Sequence, residues 1–145
     1  MSQRYEYNVG LRVHHPSMDP RVISHRLRMR ADISWRVGEP RATPTGTPLS
    51  GTRADSYWSK TITPGWVRVP AGRAAADTLT RLMRRLRPHG SFLKRLRIGG
   101  GRVEIWLSSY SATNYAFVFT PSLIASLSAL ACELIVDVYP YKQRG

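Results

Sequence analysis

The hydrophobic pattern is clearest in residues 73–98, which predict two consecutive helices. Four apolar residues there share the i, i+3, i+4, i+7 spacing of one helix face: Leu79, Leu82, Met83 and Leu86. At about 100° per residue, Arg81, Arg84 and Arg85 point away from that face. Pro88 disfavours helix at the preceding residue and lacks a backbone donor, so the first helix should stop or kink there. A second short helix follows, with three apolar residues facing inward: Phe92, Leu93 and Leu96.

Alternation of apolar and polar positions predicts strands on both sides of this helical region. The predicted strands are 5–13, 33–37, 57–62, a short edge segment at 66–69, 103–107, a returning strand at 115–119 and a final strand at 134–138. Residues 42–54 are rich in Pro, Gly and Thr, and they predict a polar, mobile loop.

Two further helices are predicted from their first residues. Asp19-Pro20 and Thr120-Pro121 each combine a capping side chain with a proline at the first helical position. The predicted fold class is α+β, a mainly antiparallel sheet with helices packed on one face. The order strand, proline-containing loop, helix, strand occurs in residues 9–37 and again in residues 115–139. Two related β-α-β halves would explain this echo, and a chance similarity would explain it equally well.

The length and composition fit one domain spanning residues 1–145. The 42% hydrophobic content is enough for a core, which argues against wholesale disorder. Cys132 is the single cysteine, so no intrachain disulfide can form and a reducing compartment is expected. The first ten residues have no apolar signal region, and the most apolar run, 121–136, is too short and polar for a membrane span. We therefore expect a cytoplasmic protein without a membrane span.

The formal net charge of +13 is unevenly distributed along the chain. Residues 1–102 hold 20 Lys/Arg and 6 Asp/Glu, a net +14, whereas residues 103–145 hold 2 and 3, a net −1. Arginine accounts for 19 of the 22 basic residues, and its fork suits carboxylates and phosphates. A GC-rich genome would explain the arginine excess equally well. The positive field favours an acidic protein, a nucleic acid or an anionic membrane as the partner.

No residue pattern in the chain indicates a catalytic set, a cofactor or a metal. The histidines, at positions 14, 15, 25 and 89, have no Cys or carboxylate at ligand spacing, and adjacent histidines on a strand point to opposite faces. Cys132 lies among apolar residues and is interpreted as a core residue. The serines at 108, 109 and 111 lack a nucleophile motif, and the glycines at 99–101 precede a strand where a phosphate loop needs a helix. A non-enzymatic protein is therefore favoured, and an enzyme is the least favoured of the possibilities that remain open.

Several segments resemble the small bacterial family called Domain of Unknown Function 4279. They are residues 35–41 (WRVGEPR), Tyr57-Trp58, the Asp19-Pro20 helix start, the break at 86–89 and the ending at 134–139. The resemblance covers nearly the whole chain and implies a fold, not an activity. Similarity in size to proteins found beside bacterial toxins and secretion systems implies, by analogy, a partner-binding or immunity-type role. The high positive charge of this chain departs from the family's usual pattern.

The first candidate site is a corner around residues 35–41, predicted to bind a protein partner. Gly38 permits a sharp turn and Pro40 fixes its exit. Two tryptophans could stack around the turn while two charged residues project from it, which gives the candidate set Trp35, Glu39, Arg41 and Trp58. A turn held by two tryptophans, with solvated charges and no binding role, is the competing interpretation.

The second candidate site is the basic helix face of Arg81, Arg84 and Arg85, extended by Lys94, Arg95 and Arg97. It would suit nucleic acid, although an ordinary solvated face is the competing interpretation, because Asp77 is placed to pair with Arg81. The expected function is thus a non-enzymatic, partner-binding domain, with an immunity-type role as one form of it and an acidic protein as the partner. The alternative is a nucleic-acid-binding module that uses the basic helix face.

Overall fold

Alternation along the first strand decides how the sheet is layered. β1 (Tyr5–His15) buries every second side chain and leaves the others half-exposed. In the computed structural model, which describes residues 3–140, this strand lies in the middle of the main sheet. Both long neighbours run antiparallel to it, so the buried side chains of the three strands share one face.

The main sheet has six strands, and all but one of its pairings are antiparallel. Besides β1, its strands are β2 (Ile33–Trp35), β5 (Ser56–Thr61), β6 (Val67–Val69), β7 (Arg102–Tyr110) and β8 (Cys132–Val138). The order is β2-β5-β1-β7-β8, with β6 pairing with β1 beyond the end of β5. The exception is β8, which lies parallel to β7 at one edge. Two short strands, β3 (Pro40–Ala42) and β4 (Pro48–Thr52), form a separate hairpin.

The helices lie in the segments where the sequence predicts them. They are α1 (Pro20–Leu27), α2 (Ala75–Leu86), α3 (Gly90–Ile98) and α4 (Pro121–Ala129). The Asp19 carboxylate accepts from the Arg21 amide and the Thr120 hydroxyl from the Leu123 amide, which confirms both predicted caps. Pro88 lies in a 3-10 turn that joins α2 to α3, so the predicted interruption is also confirmed. The structure is an α+β fold, with a mostly antiparallel sheet whose buried face is covered by helices.

The core lies between that face of the sheet and the helices. The predicted apolar face of α2 is almost inaccessible to solvent: Leu79, Leu82, Met83 and Leu86 are each at most 2% exposed. These side chains join the same buried cluster as the strand residues Leu11, Ile105 and Leu107. Burial of this stripe, more than intrinsic helix propensity, stabilises α2.

The prediction of a loop at 42–54 is wrong, because most of this segment belongs to the β3–β4 hairpin. Gly46 has φ of +90° and Gly51 has φ of +83°, conformations that glycine adopts without steric cost. All of β4 is exposed, so neither strand has the apolar alternation that would reveal it. A hairpin exposed on both sides has the same Pro, Gly and Thr composition as a loop.

The predicted strand at 115–119 is also wrong. Tyr115, Phe117 and Phe119 are half-buried and alternate with exposed residues, but the segment forms no sheet pairing. The Tyr115 ring instead stacks on Tyr5 at 5.4 Å between centroids. The alternation of half-buried and exposed residues therefore reflects side-chain packing of an extended segment against the core. This segment leads from β7 into α4. The second β-α-β unit consists of β7, α4 and β8, and it begins before residue 115.

Asp19 makes the stability of this fold depend on pH. Hydrogen bonds from the Arg21 side chain and amide lower the pKa of Asp19 from its ordinary 3.8 to about 2. A depressed pKa in the folded state stabilises the protein above the unfolded pKa, and that stabilisation is lost as the pH falls through the folded pKa. Urea unfolding between pH 4 and pH 2 should therefore show a steeper loss of stability for the wild type than for Asp19→Asn, whose amide oxygen can still cap the helix. Parallel pH profiles for the two proteins would contradict this assignment.

Candidate functional site

The two tryptophans of the predicted corner lie on opposite faces of the sheet. Ser34 pairs with Trp58 and Trp35 pairs with Tyr57, and adjacent strand residues point in opposite directions. Trp58 faces the helices, is 0% exposed, and donates its indole N–H to the Ser24 hydroxyl at 2.8 Å. Trp35 faces away and stacks on Tyr57, with ring centroids 4.5 Å apart. The prediction that both tryptophans stack around the turn is wrong.

Arg53 takes the place expected for the second tryptophan. Its guanidinium carbon lies 3.8 Å from the centre of the Trp35 ring, and its Nη2 donates to the Ala42 carbonyl at 2.7 Å. Its backbone is bonded to the turn as well, because the Gly38 amide donates to the Arg53 carbonyl at 2.9 Å. No local pattern in the sequence indicates this contact, since Arg53 follows β4, a strand that the sequence does not predict.

Three of the four predicted partner-binding residues remain accessible at this corner. Glu39 and Arg41 are exposed, and Trp35 is half-exposed. Arg41 donates to the Ser50 carbonyl at 3.3 Å. Trp58 is a core residue and cannot contact a partner in the folded protein. A binding role for the other three stays a prediction.

The basic helix face lies where the sequence places it, on the solvent side of α2. Arg81, Arg84 and Arg85 are all exposed. Within residues 3–140, no carboxylate approaches any of their guanidinium groups to within 4 Å, so the expected pair between Asp77 and Arg81 does not form. These three arginines therefore have no internal counter-ion in the described chain.

Two of these arginines line a cleft of about 370 Å³ between α2, β6 and the turn before β6. Arg81 and Arg85 are joined there by Arg73, which precedes α2, and by Thr78, one turn before Arg81. Positions 78, 81 and 85 have i, i+3, i+7 spacing, so they share one face of the helix. Arg84 lies outside the cleft. Sequence reasoning grouped the arginines by exposure and missed this division.

Tyr7 forms the polar floor of the cleft. Its hydroxyl donates to the Arg73 carbonyl at 2.6 Å and lies 2.6 Å from the Thr78 hydroxyl, which is then the donor to it. Burial raises the pKa of Tyr7, an effect opposed by the hydrogen bond from Thr78, so the phenol is neutral at physiological pH. The cleft therefore offers cationic and neutral polar groups to a ligand.

Positive charge is concentrated in two segments of the helical side, which we call the basic helical layer: residues 20–30 and 73–98. Residues 20–30 contain four arginines and no acidic residue, and residues 73–98 contain eight Lys/Arg and one acidic residue, Asp77. Two carboxylates on the sheet are instead paired locally. Glu6 binds Arg68 at 2.7 Å, and Glu104 Oε1 lies 3.0 Å from His14 Nε2. The net charge of the molecule is therefore expressed mainly on one side.

Comparison with known families identifies the family of this chain. The profile described as Domain of unknown function (DUF4279) matches residues 5–141. The chain belongs to this family. Comparisons with curated proteins and with solved structures gave no match. Membership of DUF4279 confirms the resemblance carried by the 35–41 corner and the helix starts, and it assigns no activity.

Other titratable groups of this DUF4279 domain have structural roles. His15 Nδ1 accepts from the amides of Ser17 and Met18 at 3.0 and 2.9 Å, and burial lowers the pKa of His15. Burial raises the pKa of Cys132 to about 12, which keeps the thiol protonated and unreactive. Among the residues described here, no three His, Cys, Asp or Glu side chains are grouped as metal ligands would be. Over the same residues, no helix is both long and apolar enough to span a bilayer.

Replacing each tryptophan in turn tests their assignment to opposite faces of this DUF4279 sheet. Trp58→Ala should lower the free energy of unfolding by about 3–5 kcal/mol, because it removes a fully buried indole. Trp35→Ala removes a half-exposed ring and should cost less than about 2 kcal/mol. Urea unfolding followed by circular dichroism measures both, and Trp58→Phe supplies an intermediate variant if Trp58→Ala does not fold. Equal losses for the two alanine variants would contradict the assignment.

Proposed function

We propose that this protein is a non-enzymatic binding domain that docks an acidic protein on its basic helical layer. The observation that carries the proposal is the concentration of positive charge in that layer, where Arg21 is the only basic residue with a carboxylate within 4 Å in the described part of the chain. Burial of an unpaired arginine at an interface is costly, whereas pairing it with a carboxylate supplies strong, directional hydrogen bonds. A partner with an acidic surface therefore fits this layer best.

The choice of arginine supports a protein contact of defined geometry. A guanidinium group binds a carboxylate through two parallel hydrogen bonds, and this fixes the orientation of both groups. Arg84 and Arg85 are exposed on α2, and Arg95 is exposed on α3. Side chains on two successive helices can contact one extended acidic surface.

The corner at Trp35, Glu39 and Arg41 is the weaker candidate for the main contact. Arg53 and Arg41 donate to backbone carbonyls within the hairpin, so part of their bonding capacity is already used. We assign the main partner contact to the basic helical layer for this reason. The proposal retains the cytoplasmic location expected from the sequence, and an immunity protein, which binds and blocks a toxin, is one form that such a domain takes.

Nucleic acid is the second candidate partner. Arg81, Arg84 and Arg85 are exposed and have no carboxylate within 4 Å among residues 3–140, which favours it as well. Phosphates and carboxylates compete for the same guanidinium forks. The two candidate partners can be distinguished experimentally. Capture of a protein partner survives nuclease treatment, whereas DNA binding weakens with salt in proportion to the number of phosphate contacts.

Affinity capture from an extract of the source organism tests the protein partner. In nuclease-treated extract, we expect the wild type to retain an acidic protein that Arg81→Gln/Arg84→Gln/Arg85→Gln does not retain. The matched control, Arg36→Gln/Arg68→Gln/Arg102→Gln, removes the same charge from exposed, ion-paired positions outside the layer and should retain it. The purified partner should then bind the wild type directly. Equal capture by both triple variants would overturn the assignment to this layer.

Gel-shift titrations with a DNA duplex test the alternative. If the three arginines contact phosphates, three contacts at a slope near −0.9 each predict about 40-fold weaker binding at roughly 200 than at 50 mM salt. Arg81→Gln/Arg84→Gln/Arg85→Gln should then flatten the slope by nearly three units. An unchanged slope would exclude specific phosphate contacts by this helix. If neither the capture nor the gel-shift assay finds a partner, the arginine face of α2 is an ordinary solvated surface.

A further inference from the structure

The cleft beside α2 has the size and lining of a small-ligand site. Its volume of about 370 Å³ falls within the range of pockets that hold small molecules. Its lining combines three arginines with the apolar residues Ile62, Val67 and Leu82, which we call the apolar lining. A ligand that contacts both has an anionic group joined to an apolar body.

We propose that this cleft binds a small organic phosphate. Its phosphate contacts Arg73, Arg81 and Arg85, and its organic body packs against the apolar lining. Three guanidinium groups at one cleft match a dianion better than the single charge of a carboxylate. Asp77 is the acidic residue nearest in sequence, and it is exposed on α2 outside the lining. Of the described carboxylates, none lies within 4 Å of these three guanidinium groups.

Hydrogen bonds within the protein hold the polar floor of the cleft in place. Tyr7 is 0% exposed, and its hydroxyl connects the Arg73 carbonyl to the Thr78 side chain. The Tyr5 hydroxyl accepts a hydrogen bond of 3.0 Å from the amide of Ala75, the first residue of α2. The segment that carries Arg73 is therefore fixed to β1 at two points. A fixed site loses less conformational freedom on binding than a mobile one, which favours affinity for a small ligand.

Titration with phenyl phosphate, followed by calorimetry at low salt, tests this site. We expect saturable binding with a stoichiometry of one. Arg81→Gln/Arg85→Gln should weaken it by about 10-fold or more, because each lost charge-assisted contact contributes strongly. The matched control is Arg84→Gln/Arg95→Gln, which removes the same charge from exposed helix positions outside the cleft. It should weaken binding by less than about 3-fold, since distant surface charges are screened.

Two further ligands separate the contribution of the arginines to binding from that of the apolar lining. Inorganic phosphate lacks the apolar body and phenylacetate lacks the dianion, so both should bind more weakly than phenyl phosphate. Absence of saturable binding, equal weakening by the two double variants, or equal affinity for inorganic and phenyl phosphate would overturn the proposal. All substituted arginines are exposed, and thermal unfolding of each variant checks that the fold is retained. The titration uses no protein partner, so its failure would leave the proposed acidic-protein contact intact.

Discussion

Three hydrogen bonds made by two tyrosine hydroxyls of β1 hold the start of α2 against the sheet. Ala74, at the position before the helix, supplies no side-chain cap, and the Tyr5 hydroxyl accepts the free Ala75 amide instead. The Tyr7 hydroxyl donates a hydrogen bond to the Arg73 carbonyl and accepts one from the Thr78 hydroxyl. The direction of α2 over the sheet follows from these contacts, and with it the placement of its apolar stripe in the core and of its arginines outside.

Elements specified by neighbouring residues could be predicted from the sequence. The stripe from Leu79 to Leu86 and the caps at Asp19 and Thr120 depend on residues within two turns of one another, and the structure confirms them. The errors concern segments whose state depends on distant partners. The alternation at 115–119 reports side-chain packing on Tyr5, and alternation alone cannot show whether a backbone finds another strand. The β3–β4 hairpin has no buried side, so it has no hydrophobic signal at all.

The candidate sites were predictable to the same extent. Exposure of Arg81, Arg84 and Arg85 follows from helical periodicity, and the structure confirms it. Their division between a cleft and an open surface depends on Tyr7 and Arg73, which are 66 residues apart, so no local pattern contains it. The relative positions of the two tryptophans at the corner could not be predicted for a related reason. Trp35 and Trp58 occupy adjacent rungs of one strand pair, and a difference of one residue in register puts a side chain on the other face.

The one-sided placement of charge gives the molecule a permanent electric asymmetry. In the field of a negatively charged surface, such a body rotates during diffusion until its helices face that surface, because this orientation has the lowest energy. Collisions that would otherwise be random in angle then occur with one face forward, and the association rate rises without any new contact. Salt removes this advantage over distances beyond the Debye length of about 10 Å at 0.1 M. The layered fold thus sets the orientation of the molecule in such a field before any side chain touches the charged surface.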